Sequence, residues 1–249
     1  LNFDTLFEFL ADKTTFSFEV SHCQSYEEAH AKLTSGEAQM GWLGPYAYFE
    51  ASQKGIIEPF AVGLLKGHST PIYNSVFVTL KDSNIESLTN IRGTKLVIGN
   101  PQSTSGYIVP KRELEDVGIN LDKRSHFSEI LEAENHDEAI RILLETRADV
   151  AAISSINLRE NIGRNPHYAK KLRIIHESKP IPGAPLVFSS VLSEETKNLI
   201  KKLVLISHET VELSGYGGKL EKYIDVEEGN QKLLESYILP QWKWPTYLS

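Results

Sequence analysis

Apolar positions along the chain follow two rhythms in turn. Leu1, Phe3, Leu6, Phe7 and Leu10 recur at three- and four-residue spacing, which puts them on one face of an amphipathic helix. Residues 15–20 alternate apolar and polar, the period of a half-buried strand. Residues 26–33 return to helical period. Ser25 precedes them and Glu28 stands three positions on, a capping box that satisfies the first free amides of a helix. Short runs rich in apolar residues at 39–43, 59–65, 75–80, 95–98, 149–153, 172–176 and 186–189 read as strands, and 124–127 is a further candidate strand. Between them, helices are expected through Tyr48 and Phe49, from Ser103–Ser105 to near Val117, at 137–144, at 157–162 and at 194–209. Gly118 supplies a C-terminal stop and Ser193 an N-cap.

Strands that alternate with helices predict an α/β fold with mainly parallel sheet. Two punctuated stretches, 79–83 and 178–185, read as crossings between lobes. With crossings there, residues 81–180 form one lobe, and 1–80 together with 181–249 form the other. A length of 249 residues suits two lobes. Hydrophobic residues make up 41% and charged residues 24%, which excludes a mainly disordered chain. The net charge of −7 argues against nucleic acid as a partner, because that needs a basic face to displace counterions. It does not exclude a small anion, which responds to local dipoles. The one cysteine, Cys23, excludes a disulfide scaffold. No run approaches the ~18 apolar residues of a membrane span. The first residue is Leu1, so a preceding segment is expected to have been removed by processing or by choice of boundary.

The strongest chemical signal is Gly99-Asn100-Pro101-Gln102-Ser103-Thr104-Ser105-Gly106-Tyr107, set between a strand and a helix. It puts the hydroxyls of Ser103, Thr104 and Ser105 where first-turn amides lack partners and the helix dipole is positive. That is an anion cradle without a cationic side chain. It is not a P-loop, because the GxxxxGK[ST] lysine is missing. Other strand ends carry similar groups. Tyr46 follows Gly44-Pro45, with a hydroxyl expected to be free to donate. Tyr73 precedes the strand at 75–80. His136 precedes the helix that Asp137 opens, and Ser154 and Ser155 follow the strand at 149–153. Against each stands a plainer reading as N-cap, core aromatic or exposed side chain.

Cys23 lies beside His22 at the end of the first expected strand. A thiol there could contact a thiophilic oxyanion; the preferred reading is a small buried residue. No cofactor motif is found. His22 and His30 do not have zinc-ligand spacing, and no GxSxG elbow or paired carboxylates suggest an enzyme.

In their order, Trp42-Leu43-Gly44-Pro45, Tyr73, Asn100-Pro101-Gln102-Ser103-Thr104-Ser105-Gly106-Tyr107, His136-Asp137-Glu138-Ala139, Asp149-Val150-Ala151-Ala152, then Glu177-Ser178 through Pro180-Ile181-Pro182-Gly183 and Pro185-Leu186 resemble the phosphate/phosphite/phosphonate substrate-binding proteins of ABC transporters. These are PhnD-like periplasmic binding proteins. The resemblance covers about 25–205. It implies a two-lobed, type II-like fold, each lobe a mainly parallel sheet flanked by helices, with a small tetrahedral oxyanion bound between the lobes. It implies Tyr46, Tyr73, Ser103, Thr104, Ser105 and His136 as ligand contacts, a permease partner and a periplasmic or membrane-anchored location.

Three departures are visible. The family opens with an apolar strand before its first helix; here the sequence starts at that helix, so one central strand is expected to be absent. Phosphonate-binding members place an acidic residue where Ser154 and Ser155 stand, which predicts that an aminophosphonate is not the preferred ligand. The tail 237–247 is similar to the ends of sensor domains. The alternative function is therefore an extracytoplasmic sensor domain of a membrane receptor such as a histidine kinase, binding a related sulfur or arsenic oxyanion.

Overall fold

The computed structural model describes residues 3–23, 25–52, 57–215 and 218–226. The elements follow in chain order. Helices α1 (Asp4–Lys13) and α2 (Tyr26–Ser35) precede strand β1 (Met40–Trp42), helix α3 (Pro45–Ser52) and strands β2 (Ile57–Leu65), β3 (Ile72–Tyr73) and β4 (Ser75–Leu80). Strand β5 (Lys95–Ile98) leads through the π-helical turn Thr104–Ile108 into α4 (Val109–Asp116). Strand β6 (Glu129–Glu132), α5 (His136–Leu144), β7 (Val150–Ser154), α6 (Ser155–Arg164), α7 (Tyr168–Lys171) and β8 (Leu172–Glu177) follow. The chain then forms β9 (Ile181–Pro182), β10 (Pro185–Ser189), α8 (Glu194–Ile206), β11 (Leu213–Gly215) and β12 (Gly218–Asp225).

Two compact units result: Tyr73–Ile181, and Leu1–Ile72 with Pro182–Ser249. The first crossing thus falls in β3, not at 79–83. Strand β4, which ends at Leu80, is hydrogen-bonded on both sides within the middle unit, to β7 and to β8, so the chain has already crossed.

In the discontinuous unit the sheet order is β1-β10-β2-β12-β11. Every pairing within it among the described residues is antiparallel, so mainly parallel sheet does not hold here. Strands β1 and β2 do run the same way, as a β-α-β unit should. Strand β10 inserts between them in the opposite direction and takes their hydrogen bonds. Phe60 and Phe188 stack across that pairing at 3.8 Å between ring centroids. The expected strand at 15–20 is absent: it joins no sheet, and Phe16 and Val20 are exposed. The hairpin β11–β12 was not expected from the sequence.

In the middle unit the order is β6-β5-β7-β4-β8. Strand β5 pairs parallel with β6 and β7, whereas β4 runs antiparallel to both its neighbours. The sheet is covered on both faces. Val76, Val78, Ile140, Leu143 and Ile153 pack on one side; Phe77, Ile91, Leu96, Leu114 and Ile119 pack on the other. Burial on both faces explains why these strands read as continuous apolar runs. The expected strand at 124–127 is a 3-10 turn, Arg124–His126, and the true edge strand is β6.

Candidate functional site

In the middle unit, the carboxyl ends of β5 and β7 meet the helices that follow them, the usual ligand end of such a sheet. After β5, Asn100 Oδ1 accepts from the Gln102 amide (2.8 Å) and the Asn100 carbonyl accepts from the Ser103 amide (2.8 Å), tightening the turn. Ser103 is the N-cap: its Oγ accepts from the Gly106 amide at 3.1 Å. The first turn is wide, since the Ser103 carbonyl receives both the Tyr107 and the Ile108 amides at 3.0 Å. Such π-helical turns are rare and concentrate at functional positions. Here the turn brings Ser103, Thr104 and Ser105 together at 8%, 6% and 3% exposure.

Gly106 makes the turn possible. A Cβ there would lie 2.8 Å from Ser103 Oγ, 3.2 Å from the Gly99 Cα and 3.2 Å from His136 Cε1. The Gly106 carbonyl also accepts from the Gly99 amide at 2.9 Å, which closes the loop on itself.

His136 is the first residue of α5, where Asn135 caps the Glu138 amide at 2.9 Å. Its Nδ1 accepts from the Ser154 amide at 3.4 Å, and its Nε2 lies 3.3 Å from Ser105 Oγ. Burial outweighs the opposing pull of Asp137 and holds the imidazole pKa down at about 4. Between that value and the usual 6.5, the unfolded chain binds a proton that the folded chain refuses. Stability without ligand is therefore expected to fall as pH drops from 6.5 toward 4, by up to ~3 kcal/mol from this group. Urea midpoints should show a smaller fall over that window in His136→Gln than in the native chain.

Ser154 ends β7 and caps α6, its Oγ accepting from the Ile156 amide at 3.2 Å. Ser155 Oγ accepts from the Asn74 amide at 3.0 Å, and the Ser155 amide donates to the Asn74 carbonyl at 2.9 Å. Three residues of this network were missed in the sequence: Asn74, Ser75 and Ser178. The Asn74 side chain donates to the Ser178 carbonyl (2.7 Å), the Ser75 amide donates to Ser178 Oγ (3.0 Å), and the Ser75 hydroxyl donates to the Ser105 carbonyl (2.7 Å). Ser75 opens a strand that is apolar but for Thr79, and that is the one signal that could have marked it.

Tyr73, in β3 of the same unit, is buried at 5% exposure. Tyr46 belongs to the other unit, on α3, and its hydroxyl is not free: it donates to Glu50 Oε1 at 2.6 Å. Burial first, then Glu50, push its ionisation above the ordinary tyrosine range. Cys23 is exposed and follows no strand, which corrects its reading as a small buried residue. Desolvation and Glu28 raise its pKa, so the thiol form is favoured over the thiolate. Among the described residues no cluster of three or more His, Cys, Asp or Glu could hold a metal ion, and no helix is long and apolar enough to cross a membrane. The tail 237–247 lies outside the described residues.

This chain is similar to proteins of known kind. It is 30% identical over 168 residues to the phosphonates-binding periplasmic protein of Escherichia coli, covering 66% of this chain and 48% of that one. It is 22% identical over 210 residues to the phosphate-import protein PhnD of Mycolicibacterium smegmatis, covering 81% and 65%. The chain thus spans about half of the first relative and just under two thirds of the second. Its fold is shared with the binding-protein component of a phosphonate ABC transporter from Pseudomonas aeruginosa, with a TM-score of 0.79, 22% identity and coverage of 94% and 78%. It is shared also with PhnD1 of Prochlorococcus marinus, solved with methylphosphonate, with a TM-score of 0.72, 16% identity and coverage of 95% and 91%. The fold is that of the two-lobed periplasmic binding proteins. Residues 2–243 match the family model described as the periplasmic substrate-binding protein of phosphonate ABC transporters, and the chain belongs to that family.

Proposed function

We propose that this chain is the extracytoplasmic binding component of an importer for a small phosphorus oxyanion of the phosphonate, phosphite or phosphate class. The observation that carries this is the buried hydroxyl cradle Ser103-Thr104-Ser105 on the wide first turn before α4. Dipoles and hydroxyls there can neutralise an oxyanion without a lysine or arginine. Tyr73, His136, Ser154 and Ser155 complete the proposed set in the middle unit, and Tyr46 is the proposed contact from the other. A membrane permease is the partner this function requires, and the periplasm is the place. Family membership favours transport over the sensor reading.

A thermal-shift series tests this with methylphosphonate, phosphite, phosphate, sulfate, arsenite and 2-aminoethylphosphonate. A ligand of the native state at a hundred times its Kd stabilises by about 2.7 kcal/mol, which moves the melting midpoint by several degrees. A phosphorus oxyanion is expected to give that shift and sulfate to give none. 2-Aminoethylphosphonate should bind about tenfold more weakly than methylphosphonate by calorimetry. Ser154 and Ser155 offer its ammonium group hydroxyls where a carboxylate would be needed to offset desolvation. Tight, selective binding of the amine-bearing ligand would refute this specificity.

A further inference from the structure

The two crossings are fastened to each other at both of their ends. In the middle unit, every polar group of Ser178 is engaged by the first crossing or by its own neighbour. Its amide donates to the Ser75 carbonyl at 2.9 Å, and its Oγ accepts from the Ser75 amide at 3.0 Å and donates to the Lys179 carbonyl at 2.7 Å. Its carbonyl accepts from Asn74 Nδ2 at 2.7 Å. Asn74 is the break between β3 and β4: Ser155 engages both its backbone amide and its backbone carbonyl, so its side chain is the part that reaches the second crossing. In the discontinuous unit, the Gly183 amide donates to the Pro71 carbonyl at 2.6 Å. A Cβ on residue 183 would lie 2.7 Å from that oxygen and 2.8 Å from Val62 Cγ2, so this approach needs a glycine.

Between the fastenings the chain crosses once as Ile72 and Tyr73 and once as Lys179-Pro180-Ile181-Pro182. The second crossing is stiff. Its two rings fix φ at Pro180 and Pro182, and the residue before each proline is confined to extended backbone. Ile72 and Tyr73 carry no such restraint, and hinged proteins turn on a few element-terminal residues of this kind. We propose that this protein bends between its two units mainly at Ile72 and Tyr73, and that Asn74 is the positioning residue that ends the pivot, by fastening the first crossing to the second on the middle-unit side. This rests on the reading of the chain as a two-lobed binding component. Without the Asn74 side chain, residue 74 loses its hold on the Ser178 carbonyl, the pivot lengthens, and the ligand-free protein samples a wider range of arrangements.

Spin-label distance measurements test it, with labels on Lys170→Cys and Lys202→Cys, exposed positions in the middle and the discontinuous unit, in a Cys23→Ser background. The parent chain should give one narrow distribution without ligand and another, displaced, with methylphosphonate. Asn74→Ala removes the donor to Ser178 and leaves the backbone bonds to Ser155 in place. It should broaden the ligand-free distribution at least twofold and leave the methylphosphonate-bound one at parent width. Hydrogen exchange should quicken tenfold or more at the Ser75 and Ser178 amides, the scale of one lost hydrogen bond, and stay unchanged at Phe77 and Val150. Ser178→Ala, which takes the acceptor from the Ser75 amide, should broaden the ligand-free distribution in the same way. A ligand-free distribution of parent width in either variant would overturn the proposal, and so would faster exchange spread through β4, the sign of a unit weakened as a whole. A parent chain whose distances do not change with methylphosphonate, phosphite or phosphate would instead refute the functional reading itself.

Discussion

Replacing Gly106 with alanine is expected to remove oxyanion binding and to lower stability by about 1–3 kcal/mol, the usual range for overpacking a tight site. The added methyl would meet Ser103 Oγ at 2.8 Å, a distance that Cβ atoms essentially never show. Ser103 cannot swing aside without giving up the Gly106 amide that it caps. The Gly99 backbone and the His136 ring, each 3.2 Å from the new carbon, close the other two directions. Relief must come from unwinding the wide turn, which disperses the three hydroxyls and separates Ser105 from His136. Calorimetry with methylphosphonate and urea denaturation read the two effects. Gly163→Ala is the control: nothing lies within 4 Å of its added carbon, so both quantities should stay near the native values. Native-like affinity in Gly106→Ala would mean that the cradle is not where the ligand binds.

The largest stability effect is expected at Phe77. Truncation to alanine should destabilise the protein by about 3–5 kcal/mol, through lost burial and the cavity left behind. Phe77 lies in β4, fully buried, opposite Ala152 of β7 and His176 of β8. Its ring packs in a cluster with Leu96, Ile98 and Leu114, and meets the edge of the His176 ring at 6.1 Å. Leu114 lies on α4, the helix that carries the cradle at its start, so affinity should fall as well. The urea midpoint should drop with the slope unchanged. Phe16→Ala should move it by less than ~0.5 kcal/mol, since that ring is 38% exposed.

Much of the candidate site's local structure was legible because its residues obey a local rule. Ser103, His136 and Ser154 each stand where a strand or turn gives way to a helix, and there unpaired amides call for short polar side chains. The bond between Asn74 and Ser178 was not legible because it spans 104 positions and has no local mark. The same distinction governs the fold. Helix α2 and its Ser25 cap follow from adjacent residues, with the Glu28 amide on Ser25 Oγ at 3.1 Å. The direction of β10 does not, because its neighbours β1 and β2 lie more than a hundred residues earlier. Alternation at 15–20 matches a strand in period, yet a strand also needs a partner edge, and none adjoins it. Strands β11 and β12 have no reading in the sequence, and their antiparallel pairing, with Leu213 opposite Leu220 and Gly215 opposite Gly218, comes from the structure alone.

The place of β10 also sets the order in which the chain can fold as it is made. Among the described residues, both partners of β2, namely β10 and β12, come after the second crossing, and so does the partner of β1. The whole sheet of the middle unit, in contrast, is encoded without interruption between residues 73 and 181. During synthesis that unit is complete while β2 still presents two bare, apolar edges. Strands β1 and β2 are thus made before the middle unit and paired only after it, and the interval before β10 and β12 emerge is when these strands are most exposed to aggregation.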